Sequence, residues 1–176
     1  RLAADASTLD AAIFYLRYSA YMNVGVDHDV SDIAGDNAAY VRARIPDGSW
    51  SREQGFWEHD VNRAIRNGGG ALHWASGAVA EFGSSFGLRS ICSHRFAHGR
   101  LFGAARVGRG ESPPRIVLAS PFVPFVIAAR AGRRAMKLSG YRLRFLTALP
   151  LMLVVAFCWA LGEARGALDQ TLADRS

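Results

Sequence analysis

The sequence predicts an α/β fold: a mostly helical part carrying a short strand pair, followed by hydrophobic membrane helices. Three observations predict it. Apolar residues recur at helical spacing in several windows, among them Ile13, Phe14, Leu16, Tyr18 and Tyr21. Two short runs, 71–75 and 78–82, have strand length. The stretch 145–162 carries no charge and reaches the roughly 18 residues that mark a candidate spanning helix.

The elements follow in order. Ser7 and Thr8 are capping residues for a first helix that ends near 23–25. The acidic segment 27–36 reads as a loop whose bulk also suits a short strand. A short helix is expected over 37–44, stopped by Pro46, with a turn at Asp47-Gly48. Ser51 caps the next helix, 51–67, whose buried stripe is Phe56, Trp57, Val61, Ala64 and Ile65. Gly68 is expected in the left-handed position that ends it. After the two strands comes a long basic helix, 88–107, then a Gly-, Ser- and Pro-rich linker, 108–114.

The run 116–129 is shorter and holds Pro121 and Pro124, so it reads as interfacial, re-entrant or tilted. The run 145–162 reads as the one clear crossing, with Pro150 one turn in, where a membrane helix tolerates it. The basic connector 130–144 then lies on the cytoplasmic leaflet. These readings divide the chain into 1–110 and a membrane-associated 111–176.

Charge is distributed unevenly over the 176 residues. Acids outnumber bases before Gly87, whereas from Arg89 to Arg144 the only acid is Glu111. Such a split points to an anionic partner. The basic residues adjoin an apolar stretch of spanning length, which favours lipid over nucleic acid. Cys92 and Cys158 lie far apart, which is no disulfide framework and fits a reducing compartment. The chain opens on Arg1-Leu2 without a signal peptide and reads as a piece of a longer protein.

Three clusters bear on chemistry. Glu58, His59 and Asp60 stand at the front of a helix, where a carboxylate at the mouth of a cleft takes a proton from a hydroxyl nucleophile. Acids there are also ordinary partners of the helix dipole. His94 and His98 share a helix face near Cys92, but zinc sites recruit three or four ligands, so no metal site is assigned. Arg95, His98 and Arg100 instead suit a groove for phosphate oxygens, or a solvated basic face. Gly68-Gly69-Gly70 follows a helix and precedes a strand, the reverse of a phosphate-binding loop. The tryptophans lack the aromatic–basic repeat of a nucleic-acid platform.

Taken in order, Gly35-Asp36-Asn37-Ala38-Ala39-Tyr40-Val41-Arg42, Phe56-Trp57-Glu58-His59-Asp60 and His94-Arg95-Phe96-Ala97-His98-Gly99-Arg100 resemble the C-terminal half of family-2 glycosyltransferases. These are inverting enzymes of GT-A fold that use nucleotide-diphosphate sugars. The tail from Ala148 to Ala164 is similar to that of bacterial membrane-associated members. The resemblance implies that Gly35, Asn37 and Arg42 shape the sugar and acceptor pocket, with Trp57 beside it. It implies a catalytic base at Glu58 or Asp60, Trp57 replacing the first acid of the family's pair. Arg95, His98 and Arg100 would lie near the leaving group or a lipid phosphate. The Arg and Trp of processive relatives are absent from His94, Ala97 and His98, which argues against a polysaccharide synthase.

The resemblance further implies a divalent cation, Mg or Mn, held mainly by a nucleotide-binding half before Arg1. Asp27-His28-Asp29 has the spelling of the family's metal motif but precedes the wrong elements, and no late His stands near Glu81-Phe82. This piece alone is therefore expected to be inactive. The intact protein is expected at the cytoplasmic face of the inner membrane, single- or multi-pass. It would transfer sugar to a lipid or glycan hydroxyl. The competing expectation is a non-enzymatic membrane-anchored module that binds anionic lipid through the basic helix.

Overall fold

A computed structural model describes residues 1–22, 27–45, 58–84 and 86–173. The chain is mostly helical, with a single two-stranded sheet among the described residues. It divides into two compact units, one comprising Arg1 and Tyr21–Ala80, the other Leu2–Ala20 and Glu81–Ser176.

In the first unit, strands β1 (His28–Val30) and β2 (Leu72–Trp74) pair antiparallel. The register sets His28 opposite Trp74, Asp29 opposite His73 and Val30 opposite Leu72. The partner of 71–75 is thus the acidic segment, not 78–82, where Phe82 makes an isolated bridge to Leu2, both of the second unit. Side chains explain the choice. Asp27 accepts from the Ser76 backbone at 2.7 Å and its hydroxyl at 2.6 Å, and Asp29 meets His73 Nδ1 at 3.1 Å. Helix α2 (Glu58–Asn67) lays Val61 and Ile65 against Leu72, with Val30, Ile33 and Tyr40 closing the cluster.

The left-handed residue after α2 is Gly69 (φ 76°), one position beyond the expected Gly68. Gly70 N–H donates to the Ile65 carbonyl at 2.9 Å and Gly69 N–H to that of Arg66 at 3.0 Å. This is the paired closure that satisfies a helix's last carbonyls. A Cβ on Gly70 would stand 2.7 Å from Ile65 Cγ2, so the third glycine is needed for close packing. The helix expected over 37–44 is instead two short 3-10 turns, Gly35–Asn37 and Arg42–Arg44, separated by extended backbone. The Tyr40 hydroxyl is held by Asn62 across the unit, a tertiary bond that overrides local helix propensity. Pro46, the Ser51 cap, Phe56 and Trp57 lie outside the described residues.

The second unit is built on helices. α1 (Thr8–Tyr18) begins at Ser7 with a reciprocal capping box to Asp10, as the sequence predicts, and runs into a 3-10 turn, Ser19–Tyr21. α3 (Leu88–Gly108) matches the expected basic helix. α4 (Pro113–Ala119), a 3-10 turn (Ser120–Phe122) and α5 (Val123–Ala135) make one helical stretch. Pro121 and Pro124 each sit in the first turn of a segment, where the missing N–H costs nothing. α6 (Arg142–Ala173) passes straight through Pro150 and extends well beyond the uncharged run.

Ile13, Ile91 and Val155 join α1, α3 and α6 in one core. Phe125 meets Phe157 edge-on at 5.5 Å and Gly132 lies against Phe145, so α5 returns antiparallel along α6. Tyr15 donates to the Tyr141 carbonyl at 2.9 Å and packs edge-on against Phe145. Two stretches, Pro113–Ala135 and Ser139–Leu172, are long and apolar enough to cross a membrane. Large apolar side chains remain exposed on both, including Leu118, Phe122, Phe125, Leu146, Val154 and Leu161.

α3 and α6 run parallel in backbone contact. A Cβ on Gly162 would stand 2.1 Å from the Phe96 carbonyl oxygen, and one on Gly166 1.9 Å from that of Arg100. Reciprocally, a Cβ on Gly99 would meet the Trp159 oxygen at 2.1 Å and one on Gly103 the Glu163 oxygen at 2.1 Å. Each helix therefore contributes a Gly-x-x-x-Gly pair, the spacing that lets helix backbones touch.

Candidate active site

The polar centre of the first unit is Asn62, 1% exposed, one turn after Glu58 on α2. Burying an amide requires partners for both its ends. Its Nδ2 donates to Asp32 Oδ1 at 2.5 Å and to the Ile33 carbonyl at 3.0 Å, and its Oδ1 accepts from the Tyr40 hydroxyl at 2.9 Å. Tyr21 stacks on Trp74 with ring planes 7° apart and directs its hydroxyl to Asp32 Oδ2 at 3.5 Å.

Glu58 is half-buried at the edge of this frame. Burial, followed by the charges of Asp32 and Glu58, pushes the Tyr21 phenol well above its ordinary value. Burial, then Glu58, then Asp32, also raises the Tyr40 phenol. Both phenols stay protonated and able to donate at neutral pH, beside two carboxylates. Asp60 follows a different course: its carboxylate makes an exposed ion pair with Arg63 one turn on. The two candidate bases are thus in different settings, Glu58 on the Asn62 side and Asp60 in a helix-surface ion pair.

The remaining candidates are dispersed. Gly35 and Asn37 occupy the 3-10 turn just after Ile33, and Arg42 begins the next turn with its side chain exposed. Trp57 lies outside the described residues. Arg95, His98 and Arg100 belong to the second unit, on α3. Arg100 Nε donates to Asp169 of α6 at 2.7 Å, and Arg165 reaches the same carboxylate at 2.9 Å. Arg100 is therefore engaged in helix packing rather than standing free in a groove. His98 is exposed, and Arg95 is half-buried.

Asp27 and Asp29 are spent on Ser76 and His73, and no group of three or more His, Cys, Asp or Glu converges among the described residues. These residues do not fit the divalent cation that the resemblance implies.

Four polar residues of the frame, Tyr21, Asp32, Tyr40 and Asn62, escape the sequence reading. Only Asn62 leaves a signal, an amide beside Val61 and one turn from Ile65 in an otherwise apolar stripe. The chain matches no family model, no curated protein and no solved structure.

Proposed function

We propose that the chain is part of a membrane-associated glycosyltransferase that moves a sugar from a nucleotide-diphosphate sugar to an acceptor hydroxyl with inversion. The observation that supports it is the setting of Glu58: half-buried, one turn from buried Asn62, beside Asp32 and two protonated phenols. A carboxylate on a merely solvated helix face needs no such frame.

In this proposal Glu58 takes the proton of the acceptor hydroxyl as its oxygen attacks the anomeric carbon. The nucleoside diphosphate departs from the opposite side with the bonding electrons. Tyr21 and Tyr40 hold the polar wall, and Asn62 fixes Asp32 so that the wall does not collapse. The donor and its cation belong, in this reading, to a nucleotide-binding part outside the sequence, and no step is assigned to a metal here. The apolar stretches keep the site at the cytoplasmic face of the membrane, where a lipid or glycan acceptor presents its hydroxyl.

The test is sugar transfer by the natural full-length protein in membranes, with a panel of labelled nucleotide sugars. Glu58→Gln is expected to lower turnover by about 10²–10⁴-fold, the effect of a lost general base. Asp60→Asn, which weakens the exposed pair with Arg63, is expected to retain most activity. Full activity in Glu58→Gln would remove the proposal's base.

A second reading, an anchored module without catalysis, draws on the exposed apolar residues of α4–α6 beside Arg130, Arg133, Arg134 and Lys137. It predicts binding to anionic membranes and no transfer with any donor.

A further inference from the structure

Arg95 sits in the second turn of α3, one turn beyond Ile91, which packs against Ile13 of α1. Its Nε is buried and makes no hydrogen bond. A buried Nε–H without an acceptor is costly, because the donor is taken from water and given nothing in return. Burial, then the charge of Arg17 in the last turn of α1, lowers the Arg95 guanidinium to about 10. Two other arginines of α3 contrast with it. Arg100 is answered by Asp169, and Arg106 by Glu111 and Glu163. A half-buried arginine whose Nε has no acceptor, one turn beyond a contact with the helix that carries a second arginine, is a poor structural element but a good half of an anion site.

We propose that the α1–α3 junction of the second unit is a phosphate site in which Arg17 and Arg95 share one phosphate group. A phosphate offers oxygens in several directions, so it bonds the orphaned Nε and bridges the two guanidinium groups. Its charge also relieves their mutual repulsion. The site lies within one unit and does not rest on the glycosyl-transfer reading: it holds for an anchored module equally well. The phosphate has two natural sources, the headgroup of an anionic lipid or a soluble pyrophosphate.

The experiment places the full chain in phosphatidylcholine nanodiscs and follows its thermal unfolding. One arm titrates inorganic pyrophosphate; the other replaces part of the lipid with phosphatidic acid. Ligands that bind the folded state raise the midpoint, the more so the tighter they bind. Wild type is expected to be stabilised in at least one arm, and that arm names the source. Arg95→Gln and Arg17→Gln should each weaken the apparent affinity by about tenfold or more, the loss of one charge-assisted contact. Arg115→Gln, an exposed charge on α4, should change it less than about twofold, a generic charge effect only. Arg95→Met, which keeps the apolar stem, serves if the glutamine variant does not fold. Equal losses in all variants, or no phosphate response in wild type, would overturn the site. So would a full response in Arg95→Met.

Discussion

Asn62 in the first unit and Glu163 in the second are both 1% exposed polar side chains on helices, yet they are accommodated in opposite ways. Asn62 is answered at both ends by Asp32, Ile33 and Tyr40. Glu163 has Arg106 on Oε1 at 2.5 Å, but its Oε2 has no partner. Around Asn62 the backbone elements are short, and the polar network defines the packing. Around Glu163 the backbones of α3 and α6 already touch through four glycines, so the carboxylate fits where backbone contact leaves it room. The first unit is thus organised by side-chain hydrogen bonds, the second by the absence of side chains.

That contrast can be broken most severely at a glycine. Gly162→Leu drives a side chain into the Phe96 carbonyl, where even a Cβ stands 2.1 Å away, and backbone cannot yield as a flexible side chain does. A loss of about 3 kcal/mol or more is expected, the upper range of overpacking. Denaturant unfolding in micelles, followed by the fluorescence of Trp159 against Phe102, reads it. An unchanged midpoint would mean that α3 and α6 do not touch there.

Next in size is Asn62→Ala, expected to cost about 2–3 kcal/mol because Asp32, the Ile33 carbonyl and the Tyr40 hydroxyl each lose a hydrogen bond. The same variant should lower transfer activity, whereas Gly162→Leu should act first on stability. A midpoint within error of wild type would show that water satisfies the frame.

The smallest effect is expected at the α1 cap. Ser7→Ala removes the hydroxyl that accepts from Asp10 N–H at 3.1 Å, for about 1 kcal/mol. Burial works to raise the Asp10 carboxyl, but hydrogen bonds from Ser84 and Ser7 outweigh it and hold the group below its ordinary value. A carboxyl depressed in the folded state contributes stability above its unfolded value of 3.8 that is lost as pH falls through the folded value. Acid unfolding of wild type should therefore steepen below about pH 4, and Ser7→Ala should flatten that limb. Parallel acid limbs for the two proteins would discard the linkage.

The legible and illegible parts differ in kind. The Ser7 cap, the start of α3 at Leu88 and the apolar run in α6 are local signals and stand where the sequence places them. Strand pairing failed at 78–82 because both that run and 27–36 are short, and the decision fell to Asp27–Ser76 and Asp29–His73 contacts between distant residues. The run 116–129 reads as interfacial, re-entrant or tilted, being short and holding two prolines, yet each proline opens a helical segment and the stretch Pro113–Ala135 is long enough to cross a membrane. The paired Gly-x-x-x-Gly spacings are visible at 99–103 and 162–166, though only the fold shows that the two meet.

By itself, the sequence determined where α1 and α3 begin and which stretches are greasy enough for a bilayer. These depend on capping, periodicity and composition within a dozen neighbouring residues. Only tertiary structure decided that Glu58 shares a face with Asn62, Tyr21 and Tyr40 while Asp60 turns to Arg63. It also decided that Arg100 is committed to Asp169 while the Nε of Arg95 is left without an acceptor. The reason is physical: a side chain's partner is set by which backbones approach it, and that approach is fixed by packing among residues far apart in the chain.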